Sequence, residues 1–186
     1  MSKRFPIPDF DRDQYKNKPW SPAALISDAQ HKQLTQAGAA SDSQSVGVYC
    51  VAVPAAFAQQ FALKGEHLHA LMCILPKGGA HVVGRSWAWP IQRALVVDNL
   101  SGASTKTLID WTTPRPMNTR LGPQDGADLP GGVVYVVFAN RYGQEWIGNR
   151  SLSQPQASGG GVELMSACGD EGNDFHACNL QLRWAA

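Results

Sequence analysis

The chain has 186 residues, of which 44% are hydrophobic and 17% are charged, and its formal net charge is +1. This length suits one domain with a substantial core. The near-neutral charge argues against the basic surface with which proteins bind nucleic acid or an anionic membrane, and no apolar run approaches the roughly 20 residues of a membrane-spanning helix.

The N-terminal segment 1–20 contains Pro6, Pro8 and Pro19, each of which interrupts a helix. We therefore expect an extended arm over 1–20, followed by a single β-rich domain over 21–186. The segment has a basic pair but lacks the apolar stretch of a secretory signal, so the default expectation is a cytoplasmic protein. Export that needs no signal is left open.

Capping residues predict a helix near the start of this domain. It begins either at Ser21, which precedes Pro22, or at Ser27, and it ends before Gly38. The polar stretch over residues 39–45 is then expected to be a linker.

A second helix is predicted in the segment PAAFAQQFALK, which follows the first strand. Pro54 stands at its first position and Gly65 just past its end, which is the usual asymmetry of helix termini. Phe57 and Phe61 lie one turn apart and mark the face that this helix buries.

From residue 46 onward, apolar patterns predict about eight strands. They cover residues 46–53, 66–75, 80–89, 92–100, 105–112 and 133–141 and the two flanks of the segment 165–179. The turns PKGG and SGAS are each expected to close a hairpin between neighbouring strands. Residues 113–132 and 151–161 show no periodic signal and are expected to form a long loop and a flexible connector. The predicted fold is mainly β, or α+β, with an antiparallel β-sandwich-like core and two or three short helices.

The segment RALVVDNLSGASTKTL resembles the strand, Asn, small turn and strand of aegerolysin- and actinoporin-like β-sandwiches. The late sequence ACG, which follows a strand, is also similar to aegerolysins. Members of these families bind membranes or sugars. The resemblance implies a sandwich fold, and we carry over nothing more from it.

His67 and His69 form an H-x-H pair at the start of a predicted strand, so both imidazoles share one face. A third histidine nearby could complete a metal site, and a metal-binding protein is one alternative function. A hairpin closed by PKGG places His81 opposite Ile74 and on the other face, which removes it as a partner. The simpler interpretation of the pair is a solvated strand face.

Four cysteines are too few for a disulfide scaffold, so we expect them to be reduced. A cysteine-dependent hydrolase or deamidase remains a second alternative, because a thiol beside an imidazole can act as a nucleophile. Cys50 with either histidine of the H-x-H pair, or Cys168 with His176, offers such an arrangement. Cys73 lies in an apolar strand and is expected only to pack.

The C-terminal segment MSACGDEGNDFHACN is flanked by two strands with alternating patterns, which predicts a final hairpin. A turn centred on Gly172 places Cys168 across from His176 and Ser166 across from Cys178. These even positions share the core side, and a disulfide between the two cysteines needs a small shift of register. The odd positions, expected to form the wet face, are Glu163, Asn179, Gln181 and Arg183.

The segment NRYGQEWIGNR mixes aromatic, amide and arginine side chains outside any clean alternation, as ligand sites do. In SWAW, Trp87 and Trp89 are expected to face the same way, into the core or a groove. The candidate binding residues are Arg141, Tyr142, Trp146 and Arg150, together with Arg115 and Arg120 of the long loop.

The function expected from these features is that of a non-enzymatic, β-rich recognition module. Its aromatic and arginine-bearing loops would bind a carbohydrate, a lipid headgroup or a protein partner, and self-association into an oligomer is left open. No nucleotide-binding, zinc-protease, C-x-x-C or serine-hydrolase motif occurs. We expect no cofactor and no nucleic-acid partner.

Overall fold

A computed structural model of the protein describes residues 15, 16, 18, 25–40, 46–116, 120–141, 143–155, 160–169 and 174–185. Within these ranges the chain forms two helices and twelve strands, which confirms the mainly β prediction. The helices are α1 (Asp28–Ala37) and α2 (Ala55–Gln60). The strands are β1 (Gly47–Ala52), β2 (Leu63–Lys64), β3 (His69–Leu75), β4 (Ala80–Ser86), β5 (Ile91–Val97), β6 (Thr107–Thr112), β7 (Ala127–Leu129), β8 (Gly132–Arg141), β9 (Trp146–Gly148), β10 (Arg150–Pro155), β11 (Gly161–Ala167) and β12 (Cys178–Arg183).

The strands form two mostly antiparallel sheets that share one core. The seven-stranded sheet has the order β1-β3-β8-β5-β6, with β9 beside β8 and β2 beside β9. The five-stranded sheet has the order β10-β11-β12-β4-β7. Side chains of both sheets meet in the core between them, where Leu71 and Val136 of one sheet join Leu164 and Leu180 of the other. This inter-sheet core makes the protein a β-sandwich.

The outer face of the seven-stranded sheet is covered by the two helices. Residues of α2, β3 and β8 form a second apolar cluster there, which includes Phe57, Met72 and Val137. Helix α1 has no buried residue of its own and docks through His31, whose Nε2 lies 2.6 Å from the hydroxyl of Tyr135. The protein therefore has a helical layer on one side of the sandwich.

The ends of the helices test the capping predictions. Helix α1 begins after Ser27, whose hydroxyl accepts the backbone N–H of Gln30, and it ends at Gly38. The second of the two predicted starts is thus confirmed, while Ser21 lies outside the described residues.

Helix α2 starts at Ala55, so Pro54 is its N-cap and not its first residue as predicted, and it ends at Gln60 instead of continuing to Gly65. The helix does not reach Gly65 because residues 63–64 pair with β9 as a short parallel strand. The rings of Phe57 and Phe61 are 4.6 Å apart at their centroids, which confirms the predicted buried face.

The hairpin predicted between 66–75 and 80–89 is wrong. Strand β3 already has β1 on one side and β8 on the other, so β4 crosses to the five-stranded sheet. Gly79 permits this crossing, because its φ is +77° and a Cβ there would lie 2.0 Å from the carbonyl oxygen of Leu129. His81 is therefore not opposite Ile74 but pairs with Asp128 and Arg183.

Two segments without periodic signal contain strands. Within 113–132, residues Ala127–Leu129 form β7 and pair with β4. Within 151–161, residues 151–155 belong to β10, which pairs with β11. Strand β7 is too short to show alternation. Pro155 argued against a strand at β10, because proline is tolerated only at sheet edges. The hairpin of β5 and β6 was predicted correctly.

The C-terminal hairpin has the predicted register, with Val162 opposite Leu182 and Leu164 opposite Leu180. Its odd face, however, is not wet. Glu163, Asn179 and Gln181 are 3%, 1% and 5% exposed.

A residue from the N-terminal segment accounts for part of this burial. Tyr15 is buried against Met165 and Phe175 on the outer face of the five-stranded sheet. Burial and then a hydrogen bond with the carboxylate of Glu163 raise the pKa of the Tyr15 hydroxyl. A polar strand face thus became part of the interior because a side chain distant in sequence packs on it.

Candidate functional site

A pocket of about 290 Å³ opens where β5 begins and β8 ends. Its lining combines an exposed aromatic ring, apolar side chains, a guanidinium and an amide. The lining residues are Trp89, Pro90, Ile91, Pro116, Arg141, Gly143 and Gln144. Trp89 is 58% exposed, more than any other large hydrophobic side chain in the described part of the chain. This Trp89–Arg141 pocket therefore offers a planar apolar surface next to hydrogen-bonding groups.

Hydrogen bonds between buried amide side chains fix the strand ends that border the pocket. Gln92 is fully buried and donates from Nε2 to the carbonyl oxygen of Pro90 at 3.1 Å, while its backbone N–H donates to Thr113 Oγ1 at 2.9 Å. Its Oε1 accepts from Asn149 Nδ2 at 2.9 Å, and Asn149 Oδ1 accepts from Asn140 Nδ2 at 2.5 Å. Paired polar groups in a low-dielectric interior are rigid, so these bonds fix the strand ends that border the pocket.

Arg141 is held in place by an aromatic ring. Its Cζ lies 4.6 Å from the ring centroid of Trp146, and the Cζ of Arg93 lies 5.4 Å from the same ring. Arg93 also donates from Nε and Nη2 to the two carboxylate oxygens of Asp110, each at 2.9 Å. Cation–π contacts of this kind favour a fixed guanidinium. Trp146 therefore helps to fix the orientation of Arg141, which lines the pocket.

Three of the predicted binding residues lie at or near the pocket. Arg141 lines it, whereas Trp146 is half-buried and packs against the apolar cluster under the helices. Arg115 is exposed and precedes Pro116, which lines the pocket.

Of the other three, Arg150 and Arg120 are not among the lining residues. Arg150 is half-buried at the start of β10, and its Nη2 donates to the carbonyl oxygen of Cys168 at 3.4 Å. Arg120 is exposed next to Leu121, which forms an isolated bridge with Gly84 of β4. Tyr142 lies outside the described residues.

Sequence reasoning missed the aromatic side chain that is most available to a ligand. Strand β4 ends at Ser86, so the alternation expected to turn Trp87 and Trp89 to one face does not continue. Trp87 is half-buried, and its backbone N–H donates to the carbonyl oxygen of His176 at 3.0 Å. Trp89 is exposed at the pocket, so it occupies a groove and not the core, the other location predicted for it. The signal for this break was Pro90, which ends a regular strand pattern.

His67 and His69 are half-buried where the chain enters β3. His69 alternates with Leu71 and Cys73, which face the inter-sheet core, so it belongs to the inner face of its sheet. Among the described residues, no group of three or more His, Cys, Asp or Glu side chains is arranged to hold a metal ion. His81 lies in the other sheet, with Nδ1 2.8 Å from Asp128 Oδ1.

The structure places Cys50 near the histidine pair. Cys50 is opposite Leu71 and Ala52 is opposite His69, so thiol and imidazole are diagonal neighbours on one face. Burial raises the pKa of the Cys50 thiol. Burial, and then the charge of His67, lowers the pKa of His69. Both shifts favour neutral groups, whereas a nucleophilic cysteine needs a thiolate.

The C-terminal cysteines are buried free thiols. Cys168 packs with Ala88 and is 3% exposed, while Cys178 lies in the inter-sheet core and is fully buried. Burial, and then the proximity of Cys168, raises the pKa of Cys178. His176 is also buried, and its Nδ1 lies 2.9 Å from the carbonyl oxygen of Trp87.

The fold and the pocket together define a helix-covered, two-sheet β-sandwich with an aromatic and arginine-bearing pocket at one end. No family model matches the chain, and no curated protein matches it at a significant level. Neither helix of the described residues is long and apolar enough to cross a membrane.

Proposed function

We propose that the protein is a non-enzymatic recognition module that binds carbohydrate in the Trp89–Arg141 pocket. One observation carries this proposal: a 58% exposed tryptophan stands at a pocket that also contains a guanidinium and an amide. An indole ring packs on the apolar C–H face of a sugar, and amide and guanidinium groups bond its hydroxyls.

The size of the pocket favours a small polar ligand. A volume of about 290 Å³ is at the lower end of the range for small-molecule sites, so it suits one or two sugar rings. A protein interface needs roughly 800 Å² on each partner, which is far more than this opening supplies. The fixed strand ends also support a preformed site, because less ordering is needed when a ligand binds.

The state of three cysteines, Cys50, Cys73 and Cys178, supports recognition over thiol chemistry at these positions. Burial raises the pKa of Cys50 and Cys178, and it raises the pKa of Cys73 to about 12. Thiols of this kind are poor nucleophiles at neutral pH.

The proposal is tested by screening the purified protein on an array of glycans and phospholipid headgroups and measuring the hits by calorimetry. We expect saccharide binding that Trp89→Ala weakens by about tenfold or more, because stacking on an aromatic ring is lost. Gln144→Ala should weaken it less.

Leu25→Ala is the matched control, since Leu25 is 39% exposed and does not line the pocket. Binding of headgroups alone, or saccharide binding that Trp89→Ala leaves unchanged, would contradict the proposal.

A further inference from the structure

The guanidinium of Arg141 lacks an acidic partner in the described part of the chain. Its contact there is the ring of Trp146, at 4.6 Å from Cζ to the ring centroid. The second guanidinium on that ring, Arg93, is neutralised by both oxygens of Asp110. The ring of Trp146 thus contacts two guanidinium groups. Arg93 is paired with a carboxylate, whereas Arg141, which lines the pocket, is paired with none among the described residues.

The acidic residue nearest in sequence is already engaged. Glu145 Oε1 accepts from Lys64 Nζ at 2.6 Å. Among the described residues, no Asp or Glu lines the Trp89–Arg141 pocket. A positive charge in a concave site attracts an anionic ligand more strongly than it would on an open surface, because the low-dielectric walls focus its field.

Arginine is suited to oxyanions. Its planar guanidinium donates two parallel N–H bonds to a carboxylate or a phosphate, and such bidentate pairs are the strong hydrogen bonds of recognition sites. Stacking on Trp146 restricts the orientation of the guanidinium, so less freedom is lost when the pair forms.

We propose that the sugar bound in this pocket is acidic, with a carboxylate that pairs with Arg141 while its ring packs on Trp89. This inference rests on the function proposed above and specifies its ligand as a uronic acid. Sulfated sugars share the negative charge and also offer two oxygens to the guanidinium, but a sulfate ester is a much weaker base than a carboxylate and accepts weaker hydrogen bonds, so they are expected to bind less tightly.

The experiment compares three matched sets of probes by isothermal titration calorimetry: uronic-acid disaccharides, their neutral counterparts in which each carboxylate is a hydroxymethyl group, and sulfated counterparts. We expect the acidic disaccharide to bind about tenfold or more tightly than the neutral one, with the preference falling as salt is added. Arg141→Met should remove this preference, and Arg141→Lys should restore part of it.

Lys77→Met is the control, because it removes the same unit of charge from an exposed residue that does not line the pocket. Far-UV circular dichroism establishes that each variant is folded, and Arg141→Lys keeps the test valid if Arg141→Met does not fold. Equal binding of acidic and neutral sugars, or a preference for sulfate, would overturn the uronic-acid assignment and leave carbohydrate recognition standing. Binding of no saccharide would overturn both proposals.

Discussion

The two tryptophans of the site should respond very differently to truncation. Trp146→Ala removes a half-buried ring that packs under α2 and contacts the guanidinium groups of Arg93 and Arg141. Truncating a fully buried tryptophan costs about 3–5 kcal/mol, so half-burial corresponds to about 2 kcal/mol. Two partly exposed cation–π contacts add about 1 kcal/mol. The free energy of unfolding should therefore fall by about 3 kcal/mol.

For a chain of this length, that loss lowers the melting temperature by about 6–12 °C. The assay is urea unfolding followed by far-UV circular dichroism, because the substitution removes one of the fluorophores. Trp89→Ala is the matched control: its ring is 58% exposed, and we expect a loss below about 1 kcal/mol. If Trp146→Ala and Trp89→Ala lose the same stability, the packing and the cation–π contacts of Trp146 do not stabilise the fold.

Three further predictions concern buried polar groups. Asn149→Ala leaves Gln92 Oε1 without its donor and should cost about 2–4 kcal/mol in urea unfolding, whereas Gln60→Ala on the exposed surface should change it by less than about 0.5 kcal/mol. His69 has a lowered folded-state pKa, so its stabilising contribution is complete above its ordinary value of about 6.5 and is lost as pH falls through the folded value. His69→Gln should therefore flatten the decline of stability as pH falls below about 6.5, and an unchanged decline would place its cause elsewhere. Iodoacetamide at neutral pH should label Cys50 slowly and Cys73 more slowly still, as read by peptide mass spectrometry; a thiol faster than free cysteine would revive the hydrolase hypothesis.

Local sequence signals predicted the local structure well. Ser27 and Gly38 bound α1 because a side-chain acceptor and a left-handed glycine act within one helical turn. The register of the C-terminal hairpin followed from alternation alone, since a shift by one residue would expose Leu164 and Leu182.

Long-range pairing could not be predicted in the same way. The turn PKGG fits both a hairpin and a crossing between sheets, and the choice depends on strands β1 and β8, which occupy the sides of β3. The polarity of Glu163 indicated a solvated face, but Tyr15 covers it from far away in sequence. Burial is a property of the assembled molecule, and alternation shows only which side chains share a face.

The candidate site was predicted in part for the same reason. Arg141 and Trp146 stood out because aromatic and charged residues interrupt an alternating pattern. Trp89 did not stand out, because its role depends on where β4 ends and on the hydrogen bond from the Gln92 side chain that fixes Pro90. A pocket formed by three separate chain segments leaves no single motif.

The position of β12 has a consequence for how the molecule is made. This last strand lies in the middle of the five-stranded sheet, between β11 and β4, so one edge of β4 can pair with β7 but the other must wait for a partner almost a hundred residues further along the chain. Pairings between such distant segments fold slowly, because the intervening chain must be ordered before any contact compensates for it. During synthesis, β4 therefore leaves the ribosome with an unpaired edge that is prone to aggregation. The yield of folded protein should depend on chaperones that bind such edges more than on the stability of the finished sandwich.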